Sequence, residues 1–154
     1  MPATWFPEPA EGDTVLDCVA NLRPGYADAL RQVEAALRAQ DVLEPELLEL
    51  CRLRVAQLLG ADDDGTDAVA LATLDAAFVD DLRRWPTAPV FSQRQRVCLG
   101  LAEQLLVDAQ GVSDEDAALV IDAIGEDGFL VLTYACGFFE TTTRARILLT
   151  AGSA

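Results

Sequence analysis

The stretch that decides the fold runs from Arg52 to Val69, RLRVAQLLGADDDGTDAV. Leucine and valine recur in its first half at helical spacing among good helix formers. Gly60 then stands where a helix end favours a residue tolerant of left-handed backbone. Asp62, Asp63 and Asp64 follow almost at once, so an apolar helix runs straight into a knot of negative charge. Upstream, Glu44-Pro45 opens this helix with proline in the first turn, where its missing N–H goes unneeded. The stripe Leu47, Leu48, Cys51, Val55, Leu58 and Leu59 predicts its buried side.

The same spacing recurs on both sides. Tyr26, Ala29, Leu30, Val33 and Leu37 predict a helix to about Gln40, after the Pro24-Gly25 punctuation. Val69, Ala72, Ala76, Val79 and Leu82 predict another, with a break near Asp75, and Trp85 to Pro89 reads as a connector. Ser92 with Gln95 forms a capping-box pattern ahead of Val97, Leu101, Leu105 and Leu106. Ser113 with Asp116 marks the start of a helix to Ile124. Gly125 to Gly128 reads as a turn into a last long helix, Phe129 to about Leu149. No period-two run competes, so the fold class is all-α, six or seven helices in one domain over 1–154. Residues 1–20, with three prolines, read as an irregular arm, and Trp5 and Phe6 are candidates to reach a neighbouring subunit.

Composition narrows the chemistry. The formal charge is −15, all eleven basic residues are arginine, and histidine is absent. A field of that sign repels phosphate backbones and anionic lipid heads, which argues against nucleic acid and membrane surfaces as partners. Without imidazole there is no Ser-His-Asp or Cys-His pair, so a general base must be a carboxylate, a thiolate or a tyrosine. Cys18, Cys51, Cys98 and Cys136 are far apart in sequence and read as reduced, mostly buried thiols of a cytoplasmic protein. The longest apolar run, Phe129 to Phe139, is too short to cross a bilayer.

The aspartates fit no dedicated metal loop. An EF-hand-type register beginning at Asp62 places Thr66 at position 5, Asp67 at the glycine position and Thr73 at the glutamate position. Helix physics alone accounts for the composition, since aspartates preceding a helix near Thr66 or Asp67 cap N–H groups and complement the dipole. No metal centre and no cofactor is expected.

Beyond composition, LLELCRLRVAQLLGADDDGTDAVALA (47–72) resembles the signature helix-loop-helix of the alkylhydroperoxidase-D-like, or carboxymuconolactone decarboxylase, superfamily. FSQRQRVCLGLAEQLL (91–106) and DGFLVLTYACGFFETTTRA (127–145) resemble the two helices that follow in those proteins. The likeness covers roughly residues 40–150 and implies the family's helical fold and its homo-oligomers, trimers or hexamers. Redox members carry a glutamate, eleven intervening residues, and then Cys-x-x-Cys-x-x-x-His. Carried over by position, the glutamate falls on Glu49, the cysteines on Ala61 and Asp64, and the histidine on Ala68. Peroxide reduction needs a thiolate and a resolving thiol, and alanine and aspartate supply neither. The resemblance therefore implies a degenerate redox motif.

Three readings stay open. The first is a family-like protein without peroxidase activity that binds a small molecule in the inherited pocket or acts as an oligomeric partner. The second is a lyase of the decarboxylase kind with Glu49, Asp63 or Asp64 as acid/base groups, although the decarboxylase-like relatives keep a histidine that this chain lacks. Their polyanionic substrate would need arginines, for which Arg52, Arg54, Arg144 and Arg146 are available. Pairing of these arginines with Glu46, Glu49 or Glu140 is the plainer account. The third is a thiol peroxidase with a relocated cysteine, Cys136 beside Tyr134 being the first to test. Glu49 and Asp64 are thus the candidate catalytic residues, and Arg52, Asp63, Tyr134 and Cys136 the candidate binding residues.

Overall fold

A computed structural model describes residues 22–61 and 70–150, with side chains through 148. Five α-helices and no strand occur among the described residues. They are α1 (Pro24–Ala39), α2 (Pro45–Leu58), α3 (Ala76–Asp81), α4 (Gln93–Asp108) and α5 (Asp114–Thr150). Short 3-10 turns follow α3 at Leu82–Arg84 and α4 at Ala109–Gly111.

The helix boundaries follow from capping chemistry. α2 ends in a left-handed glycine, Gly60 at φ 73°. Gly60 N–H donates to Gln57 O at 3.1 Å and Ala61 N–H to Ala56 O at 2.9 Å, the paired bonds of a Schellman ending. At the head of α4, Gln95 N–H donates to Ser92 Oγ and Ser92 N–H to Gln95 Oε1, closing the capping box. Ser113 caps α5 by accepting from Asp116 N–H at 3.1 Å.

α5 is two helices joined at Gly125, whose φ of 76° and ψ of 169° are non-helical. The sequence places a turn over 125–128, but helix resumes directly after Gly125. Gly128 lies inside it, buried, where a Cβ would come within 2.9 Å of Ile124 and 3.1 Å of Leu43. Its role is close packing rather than turning. The carbonyl of Ala123, at the end of the first half, accepts from Arg94 Nε at 3.1 Å.

The core lies where α2, α4 and α5 meet. Leu48, Leu50 and Val55 pack there with Leu99 and Ala102, and with Leu132, Ala135 and Phe139. Phe91 contacts Phe78 with ring centroids 5.5 Å apart, tying α3 to the head of α4.

Two expectations need correction. Residues 47–52 of α2 are all buried, so Leu50 belongs to the core while Leu58 is exposed; a helix enclosed on several sides has no single stripe. Residues 70–75 are not helical, and helix begins at the break expected near Asp75, whose side chain accepts from Ala77 N–H at the start of α3; Val69 lies outside the described residues. In α1, only Ala27 is buried, whereas Tyr26 and Val33 are exposed at 59% and 43%. No helix among the described residues is long and apolar enough to cross a membrane.

Candidate functional site

α2 carries the glutamate to which the sequence resemblance points. Glu49 and Arg52 lie one turn apart and are both buried, at 3% and 9% exposure. Arg52 donates from Nε to Glu49 Oε2 at 2.9 Å and from Nη2 to Oε1 at 2.7 Å. The planar fork of guanidinium matches the two oxygens, so the pair is directional as well as charged. A third donor comes from across the fold: Leu71 N–H reaches Glu49 Oε2 at 2.9 Å. Three of the roughly four acceptor positions of this carboxylate are thereby filled.

The neighbouring backbone is held from α1. Arg38 donates from Nη2 to Ala70 O at 3.1 Å and from Nε to Glu34 at 3.2 Å. Residues 70 and 71 are therefore gripped twice, by an arginine at a carbonyl and by a glutamate at an N–H. On the other side of the aspartate segment, Ala61 is buried at 8% exposure behind the Gly60 cap. Asp63, Asp64 and Ala68 lie outside the described residues, as do the rest of the aspartate knot and Cys18.

The three remaining cysteines form the second feature. Cys51, Cys98 and Cys136 are free thiols on α2, α4 and α5, each buried in the shared core. Burial pushes Cys98 up to about 11 and Cys136 up to about 12, and it drives Cys51 well above the ordinary thiol range. Neighbouring Cys136 and Cys98 reinforce the effect on Cys51, because each negative charge would disfavour the next. A peroxidatic thiol needs the opposite environment, exposed and electropositive. Among the described residues no group of three or more histidine, cysteine or carboxylate side chains is disposed to hold a metal ion.

Tyr134 and Cys136 are near in sequence but on opposite sides of α5. Tyr134 is 74% exposed and Cys136 only 4%, so the two do not share a pocket. The other candidate arginines, Arg54, Arg144 and Arg146, are engaged. Arg54 pairs with Glu103, whose Oε1 also accepts from Trp85 Nε1 at 2.7 Å, and Arg144 pairs with Glu140 at 2.9 Å. Sequence reasoning finds the Arg52–Glu49 and Arg144–Glu140 pairs from their spacing. It misses Glu103, Arg38 and the Leu71 N–H, which lie 49, 32 and 22 residues from their partners.

A separate cleft of about 200 Å³ opens between α4 and the first half of α5, lined by Val97, Leu101, Val112, Leu119 and Gln104. Its polar groups are satisfied within the chain: Gln104 donates to Asp108 O and Asp116 accepts from Ser113 Oγ.

Comparison with protein-family models and with curated proteins returns no match. The family likeness is carried by the residues of the sequence alone.

Proposed function

We propose that the chain is a cytoplasmic, non-redox protein of the alkylhydroperoxidase-D-like or carboxymuconolactone decarboxylase-like kind, working by association rather than by turnover. It holds a small molecule beside Glu49 and Ala61, or it assembles with further copies of itself. The supporting observation is the occupation of Glu49. In a redox relative that carboxylate serves proton transfer to a thiol; here it is committed to Arg52 and to the Leu71 N–H. The buried, protonated thiols support the same reading, since none offers a thiolate to peroxide.

The test pairs an activity assay with a mass measurement. Purified protein is given an organic hydroperoxide and a dithiol reductant, alongside Cys98→Ser and Cys136→Ser. The expected result is background turnover in all three, with a ligand retained in native mass spectrometry or a mass above the monomer in light scattering. Turnover lost on Cys136→Ser would overturn the reading, and so would a bare monomer at every concentration.

A second reading, an acid/base lyase using Glu49 with Asp63 or Asp64, is favoured by one observation, the burial of a carboxylate against a guanidinium. Release of carbon dioxide from a lactone acid, abolished by Glu49→Gln, is the outcome that would establish it.

A further inference from the structure

The second half of α5 presents a face that none of the described residues covers. Leu130, Tyr134, Gly137, Thr141, Arg144 and Leu148 recur at helical spacing, and all are exposed. On a chain of charge −15, residues 128–139 carry no charge at all. Thr141 adds little polarity, because its hydroxyl donates to Gly137 O at 2.9 Å and leaves the methyl group outward. Gly137 is the unexpected member. A mid-helix glycine is unfavourable in isolation, and a Cβ built there meets nothing within 4 Å, so no packing among the described residues requires it.

The order of residues along the face indicates what covers it. Asp127 stands exposed at the acidic end and Arg144, which keeps Glu140 as an i,i+4 partner on its own helix, at the basic end, with the uncharged residues 128–139 between them. Turned end for end, the face matches itself. Asp127 falls opposite Arg144, Leu130 opposite Thr141, and the Tyr134 ring opposite the bare backbone at Gly137. A contact in which residue i meets j and j meets i is what a two-fold axis requires.

We propose that this face of α5 is an antiparallel, two-fold docking surface for a second copy of the chain, with Tyr134 of each copy seated on Gly137 of the other. The inference rests on the association half of the function proposed above and assigns it a place. The self-matching stripe from Asp127 to Arg144 is roughly 25 Å long and about 10 Å wide. It falls well short of the ~800 Å² per partner of a standard stable interface, so the contact is a reversible one.

Sedimentation equilibrium of the full chain from about 10 to 500 µM, the range suited to a weak complex, reads the outcome. The mass is expected to rise from the 16.5 kDa monomer toward twice that value. Tyr134→Ala and Gly137→Leu should each weaken association at least about tenfold, as loss of a central anchor does. Both sites are open, so helicity and melting should hold. Asp127→Arg and Arg144→Asp should each weaken it as well, and the double reversal should restore it, which a merely sticky surface would not do. A wild-type chain that stays monomeric throughout overturns the proposal. Assembly indifferent to all four changes also overturns it while leaving the association reading intact. Absence of both assembly and retained ligand removes the two together.

Discussion

At Glu49, breaking the pair and deleting the pair have different consequences. Glu49→Ala strands the Arg52 charge in a buried site and frees the Leu71 N–H. Chemical denaturation should show a loss of about 3–5 kcal/mol, the range for an uncompensated buried partner. Replacing both members, as Glu49→Leu with Arg52→Met, should recover much of that, because no isolated charge remains. The thiols give a prediction in pH. Their folded values of about 11 for Cys98 and about 12 for Cys136 lie above the ordinary thiol value near 8.5, so the folded state keeps protons the unfolded chain releases. Their contribution is complete below about pH 8.5 and is lost as pH climbs from there toward the folded values, at about 1.4 kcal/mol per unit for each thiol. Comparing the alkaline stability slope with that of Cys98→Ala/Cys136→Ala checks this; an unchanged slope would contradict it. Residue identity foretold the Glu49–Arg52 contact, since i,i+3 spacing forces the two together. That the pair is buried and takes a third donor, the Leu71 N–H 22 residues away, is encoded in no local pattern.

For the elements, the caps were legible and the burial was not. Ser92 with Gln95, Ser113 with Asp116, and Gly60 each set a boundary through bonds within a few residues, so the sequence contains the whole cause. The apolar spacing that marks α1 as a helix reports amphipathicity and not the presence of a neighbour to face, and Tyr26 and Val33 stand exposed. Gly128 was mistaken for a turn residue, since a glycine chosen for close packing and one chosen for its backbone look alike in sequence. Gly125 separates the two cases experimentally. Its φ of 76° and ψ of 169° suit essentially glycine alone, so Gly125→Ala should lower stability by about 1–3 kcal/mol. Ser92→Ala should lower it by about 1 kcal/mol through loss of the cap. Urea titrations of the two variants measure both; a neutral Gly125→Ala would mean that the helix runs straight through.

Across the whole molecule, self-repulsion is the dominant long-range term. With −15 on 154 residues, and exposed ion pairs worth little individually, added salt should stabilise the fold. Tm is expected to rise between low salt and about 0.3 M sodium chloride, as the Debye length falls below about 10 Å. A falling Tm would show that attraction between opposite charges outweighs the repulsion. The grip on the aspartate segment has a consequence at this scale too. Its two flanks are fastened independently, Gly60 and Ala61 by the Schellman bonds, Ala70 and Leu71 by Arg38 and Glu49. The backbone on either side of 62–69 is therefore fixed by bonds that do not pass through that span. Doubling its length should add only about 0.6 kcal/mol of closure entropy. An architecture riveted in this way can exchange the chemistry of that span wholesale and leave its scaffold standing.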